Sequence, residues 1–241
     1  MSPEERARVV EALPAEVTWD EMAMPEGDLH SLAKLEAVPM LRSYFSRQHR
    51  RVYIGTELPV YYPAERRFAP DMVAVLDVET HLRGKWVVSH EGKGLDWVLE
   101  VHVGGDRKKD AEFNVSRYAR LGIPEYFIFD RARVQLLGYR LPRAGAREYV
   151  PMKPRKGRYV SRRLGLELGL VEGRLRFYDG TGMLLDAEEM RAHMEQLVRK
   201  EHQRADEEVR LRRKAQRKAA EAERRAAELQ AELERLERGR S

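Results

Sequence analysis

The chain has 241 residues, 35% of them charged, a net charge of +5 and no cysteine. That length holds one substantial domain plus an appendage. The lack of cysteine excludes disulfides, zinc–thiolate sites and thiol nucleophiles. Residues 199–241 carry 14 Lys and Arg against 10 Asp and Glu, so four of the five net charges belong to the tail. The charge balance is therefore a weak argument for a nucleic-acid-binding face on the rest of the chain. No apolar run approaches the roughly 20 residues of a membrane span. Residues 1–6 are charged rather than apolar, so no leader or membrane contact is expected and the expected location is cytoplasmic.

Residues 4–13 read as a short helix, followed by an irregular stretch through Pro14 and Pro25 that makes 1–25 an N-terminal extension. Leu29, Leu32, Leu35, Val38, Leu41 and Phe45 recur at helical spacing, and Pro39 should bend or split that helix. Residues 52–62 are β-branched and aromatic, with Pro59 marking an edge or bulge. Two apolar runs, 68–76 and 95–103, read as buried strands. Between them lies a polar excursion with a short strand at 86–88. A helix over 106–121 is closed by Gly122 and Pro124. Residues 125–130 form another buried strand, and 133–141 with 149–150 extend the sheet or form a hairpin. Residues 151–159 are basic and turn-rich, 163–168 alternate as a strand, and 170–178 form a hairpin turning at Glu172-Gly173. From 183 to 238 there is neither glycine nor proline, and the composition is that of a long charged helix. Ala215, Ala219, Ala222, Ala226, Leu229, Leu233 and Leu236 are spaced by three and four, a coiled-coil seam over the last heptads only. A solvated single helix held by i,i+4 ion pairs fits that composition equally.

The chemistry is concentrated where Asp71 and Glu100 interrupt the two apolar runs. A carboxylate inside a strand loses hydration and needs a partner, a proton or a metal ion. Either residue alone is explained by a strand end at the surface or by an arginine partner. Two on neighbouring strands make a cage for a hard divalent cation.

Pro70-Asp71, Glu100-Val101, Asp110, Tyr118 and Gly122-Ile123-Pro124-Glu125-Tyr126 with Asp130 stand in an order that resembles the Uma2 family, a branch of the PD-(D/E)XK restriction-endonuclease-like nucleases. The resemblance covers about residues 26–140, and Gly27-Asp28-Leu29-His30 resembles the start of the family's first helix. It implies an α/β fold with a restriction-endonuclease-like core, α-β-β-β-α-β around a mixed central sheet. The nuclease domain would span 26–182, and the charged helix 183–241. It also implies a Mg²⁺- or Mn²⁺-dependent DNA endonuclease in which Asp71 and Glu100 hold the metal. DNA is the expected partner, and homodimerisation through the domain or the C-terminal helix is a further possibility.

The resemblance also implies a lysine, either two residues after the acid or four after the aspartate on the next helix. Those positions hold His102 and Asn114. Asn114 can neither carry charge nor accept a proton at neutral pH. Lys108 and Lys109 could reach in from the helix start, and His102, on the face of Glu100, could serve as base, ligand or phosphate contact. Asp110 belongs to the motif, and His30 and Glu36 lie on the first helix, where the superfamily often adds an acid. The remaining alternative is a catalytically degenerate module that binds nucleic acid or a protein without cutting.

Overall fold

The computed structural model describes residues 2–16, 18, 27–103 and 107–238, excluding the side chains of Leu29, 107–111, 232–234 and 236–238. Its elements run α1 (Pro3–Ala12), α2 (Asp28–Arg47), β1 (Val52–Thr56), β2 (Val60–Tyr61), β3 (Met72–Leu76), β4 (Trp86–Val87), α3 (Val88–Glu91), β5 (Trp97–His102), α4 (Arg107–Arg120), β6 (Glu125–Asp130), β7 (Gln135–Arg140), β8 (Val150–Pro151), β9 (Arg158–Ser161), β10 (Leu166–Val171), β11 (Arg174–Asp179), β12 (Gly182–Met183) and α5 (Ala187–Arg238). Two compact units result, residues 1–187 and 188–241.

The first unit is a mixed α/β structure. Its six-stranded sheet has the order β1-β3-β5-β6-β7-β8. Only β5 and β6 pair in parallel, joined by the α4 crossover; every other neighbour in that sheet is antiparallel. The two-residue period of the strands divides their side chains between two cores. Met72, Ala74, Trp97, Leu99, Val101, Phe127 and Phe129 join Ala37, Leu41 and Phe45 of α2. Val73, Val75, Val98, Tyr126 and Ile128 join Tyr118 of α4. A second, antiparallel sheet of order β12-β11-β10-β9 adds Leu166, Leu168 and Phe177 to the α2 core. Buried Glu125 at the start of β6 ties the sheets together by accepting from Ser161 Oγ and from the Arg162 N–H at 2.8 Å.

Several boundaries differ from the sequence reading. Pro39 does not split α2, which runs through it. Pro39 and Leu35 are both exposed, so the Leu35 carbonyl released by the missing N–H lies on the solvent side. The run over 52–62 is two strands in different sheets. The chain breaks at Glu57, whose φ of 50° is left-handed, and β2 pairs with β4 instead. Residues 163–165 are a turn and the strand starts at Leu166. The β10–β11 turn falls at Glu172-Gly173, both at positive φ, as a tight hairpin turn requires. In the second unit α5 is one continuous helix of 52 residues, and its described side chains from Arg191 onward are all exposed. No helix among the described residues is long and apolar enough to cross a membrane.

Candidate active site

Asp71 occupies the bend that opens β3 and is buried. The Asp71 N–H donates to Glu100 Oε2 at 3.1 Å, and Asp71 Oδ2 accepts the Val101 N–H at 2.7 Å. Oδ1 turns toward α2, where His30 Nε2 lies at 2.9 Å and Lys34 Nζ at 3.4 Å. The strand pairing Met72↔Leu99 sets this proximity, because it places residues 71 and 100 on adjoining strands.

Glu100 is closed in on the α4 side. Tyr118 donates its hydroxyl to Oε1 at 2.6 Å, and Oε2 takes the Asp71 N–H. Burial and then the charge of Asp71 push the Glu100 carboxyl well above the usual range, outweighing the Tyr118 and Asp71 N–H donors. Asp71 goes the opposite way. Burial alone would raise its carboxyl, but His30, the Val101 N–H and Lys34 together hold it below the ordinary value. The pKa values of two adjacent carboxyls are thus driven in opposite directions, the pattern of divided acid–base roles.

The α2 side supplies a cluster that the sequence reading reached only through His30. Lys34 donates to Glu57 Oε1 and lies 3.2 Å from His30 Nδ1. Donor atoms of His30, Glu57 and Asp71 all fall within 4.8 Å of one another. His30 is 1% exposed, and its Nε2 contact with Asp71 is off the N–H axis, so no aligned hydrogen bond occupies that nitrogen. A buried imidazole nitrogen beside two carboxylates is a donor set that fits a divalent cation. Glu57 reaches it because its left-handed turn is fixed by N–H bonds to the Pro70 and Asp71 carbonyls at 3.0 and 3.3 Å.

Of the residues anticipated, Asp71, Glu100 and His30 come together. Glu36 does not: it pairs with Arg174 at 2.9 Å, in a network with Asp186. His102 ends β5, half-buried, two residues from Glu100, and its carbonyl accepts the Arg131 N–H. Asn114 is half-buried one helical turn before Tyr118. Gly104 and Gly105, with the side chains of Lys108, Lys109 and Asp110, lie outside the described residues. Sequence reasoning missed Glu57 and Lys34. For Lys34 a signal existed, the i,i+4 spacing from His30; for Glu57 there was none, since glutamate does not advertise a left-handed turn.

Residues 19–176 match the model of the Uma2 family, described as "Putative restriction endonuclease". With more than half of its length matched, the chain belongs to the Uma2 family. Among solved structures it is similar to a crystal structure described as a putative nuclease belonging to DUF820 from Anabaena variabilis ATCC 29413, with 18% identity and a TM-score of 0.42, over 55% of this chain and 71% of that one. No curated protein sequence matches the chain.

Proposed function

We propose that the chain is a metal-dependent endonuclease that hydrolyses phosphodiester bonds in DNA, with its reaction centre at Asp71. The observation that carries this reading is the convergence on Asp71 of His30, Glu57 and the carboxyl of Glu100. Membership of the Uma2 family, described as "Putative restriction endonuclease", supports the substrate class.

In hydrolysis a water oxygen bonds to phosphorus while one P–O ester bond breaks. The bond's electron pair leaves with the ester oxygen, which takes up a proton in exchange for the one the water loses. Asp71, His30 and Glu57 would hold Mg²⁺ or Mn²⁺, and Glu100, 3.1 Å from the Asp71 nitrogen, stands next to that set. Such an ion, when bound, supplies charge neutralisation on the phosphate and lowers the pKa of a water. Asp71 keeps its negative charge through the His30, Val101 and Lys34 contacts. The neighbouring Glu100 carboxyl is shifted the other way, toward holding a proton, and Tyr118 fixes its orientation.

The test is incubation of the purified chain with supercoiled plasmid and Mn²⁺ or Mg²⁺, beside Asp71→Asn and Glu100→Gln. Cleavage by the parent and its loss, by a factor of about 100 or more, in both variants is the expected result. Equal cleavage by all three removes these carboxyls from the chemistry. Binding of plasmid without any cleavage replaces the nuclease reading with that of a binding module.

A further inference from the structure

Lys34 is a lysine buried to 7% exposure on a helix that has ample solvent-facing positions. Lysines are almost never buried unpaired, and here the polar contacts of Nζ with the described residues are with groups of the reaction centre. Nζ touches Asp71 Oδ1 at 3.4 Å, Glu57 Oε1, and His30 Nδ1 at 3.2 Å. Asp71 has further polar partners, the Val101 N–H at 2.7 Å and His30 Nε2 at 2.9 Å. On the α4 side the half-buried residue one turn from Tyr118 is the neutral Asn114.

We propose that Lys34 is the catalytic lysine of this centre, delivered by α2 rather than by β5 or α4, and that its ammonium neutralises the charge that builds on the attacked phosphate. This rests on the nuclease reading above. An ammonium preorganised in a dry site opposes developing negative charge without reorganisation cost. The four-carbon stem carries three donors on a rotatable head, so the head can serve a phosphate oxygen and still touch a carboxylate.

The experiment compares the full-length parent with Lys34→Met and with Lys34→Met/Asn114→Lys. Asn114 sits four residues before Tyr118 on one helical face, so a lysine there points toward the Glu100 end of the centre. Three readouts are taken: Mn²⁺ affinity by calorimetry without DNA, duplex affinity in Ca²⁺, and the single-turnover cleavage rate at saturating Mn²⁺. Lys34→Met is expected to bind duplex as the parent does and to bind Mn²⁺ as tightly or up to about tenfold tighter, since a like charge beside the ion is gone. Its cleavage rate falls by about 100- to 1000-fold, and the double variant recovers at least tenfold. If Lys34→Met melts far below the parent, Lys34→Gln, which can still hydrogen-bond Glu57 and Asp71, takes its place in every arm. With a parent that cuts, three results overturn the inference alone: an unchanged rate in the variant, loss of Mn²⁺ binding together with the rate, or no recovery by Asn114→Lys. A parent that binds Mn²⁺ and duplex but cuts nothing overturns the nuclease reading and this inference with it.

Discussion

Replacing Glu100 by glutamine should make the protein more stable, and the gain should grow with pH. The Glu100 carboxyl is raised well above its ordinary 4.5 by burial and by the charge of Asp71. Above pH 4.5 an unfolded chain releases that proton and the folded chain keeps it. The folded state then binds more protons, so stability falls as pH rises until the folded carboxyl itself titrates. The slope is at most one proton, about 1.4 kcal/mol per pH unit. From pH 5.5 to 7.5 the parent therefore loses up to about 2.7 kcal/mol relative to Glu100→Gln, about 5–11 °C in Tm for a domain of this size. Asp71 does not confound the comparison. Its carboxyl is held below 3.8, so its contribution is complete above that value and is lost only as pH falls through its folded pKa. Glutamine has one oxygen, which can accept the Asp71 N–H while its amide nitrogen donates to the Tyr118 oxygen, so the Tyr118 hydroxyl must turn away; that cost is common to all pH values. Thermal melts of both proteins in EDTA at pH 5.5, 6.5 and 7.5 are the assay. Parallel lines for parent and variant across that range would refute a raised Glu100 carboxyl.

Tyr118→Phe removes the donor to Glu100 Oε1 and should cost about 1–2 kcal/mol by chemical denaturation. Glu57→Gly removes a carboxylate from a residue whose φ is 50°. Relief of the left-handed strain should hold stability within about 1 kcal/mol of the parent, while calorimetry shows weaker Mn²⁺ binding; an unchanged affinity would exclude Glu57 from the cation set. Mn²⁺ at 100 times its Kd should stabilise the parent by about 2.7 kcal/mol and Asp71→Asn not at all, with chelation reversing the gain. Because the set includes an imidazole nitrogen, Mn²⁺ should stabilise more than Mg²⁺ at equal concentration. Ala215, Ala219, Ala222, Ala226 and Leu229 of α5 are all exposed in the single chain; if this seam pairs two copies, the full chain sediments as a dimer and a chain ending at Ala187 as a monomer. Equal association states would leave α5 a solvated helix.

The strands and the acid pair were legible because their signals are local. Apolar runs interrupted by Asp71 and Glu100 are conspicuous, and Gly122, at φ 77°, ends α4 where a left-handed cap is needed. The face of α2 was not. Leu29, Leu32 and Leu35 advertise an inward stripe, yet Leu32 is 42% and Leu35 69% exposed. The buried stripe in that half is His30, Ala33, Lys34 and Ala37. Its spacing of three, one and three is as helical as that of the leucines, so periodicity alone cannot choose between them. The choice is made by what lies opposite, a sheet end carrying Asp71 and Glu57, which no single segment encodes.

That reversal ties the fold to the chemistry. Exposing two leucines while burying a histidine and a lysine costs stability by any apolar bookkeeping. The alanines at 33 and 37 let the helix approach the strands closely, and the approach brings the polar pair onto Asp71. A helix selected only for packing would present Leu32 and Leu35 to the core and keep the charges in water. Local rules are broken without structural gain mainly where a site demands it. In this chain the break falls on the same four residues, His30, Lys34, Glu57 and Asp71, that converge at the sheet end.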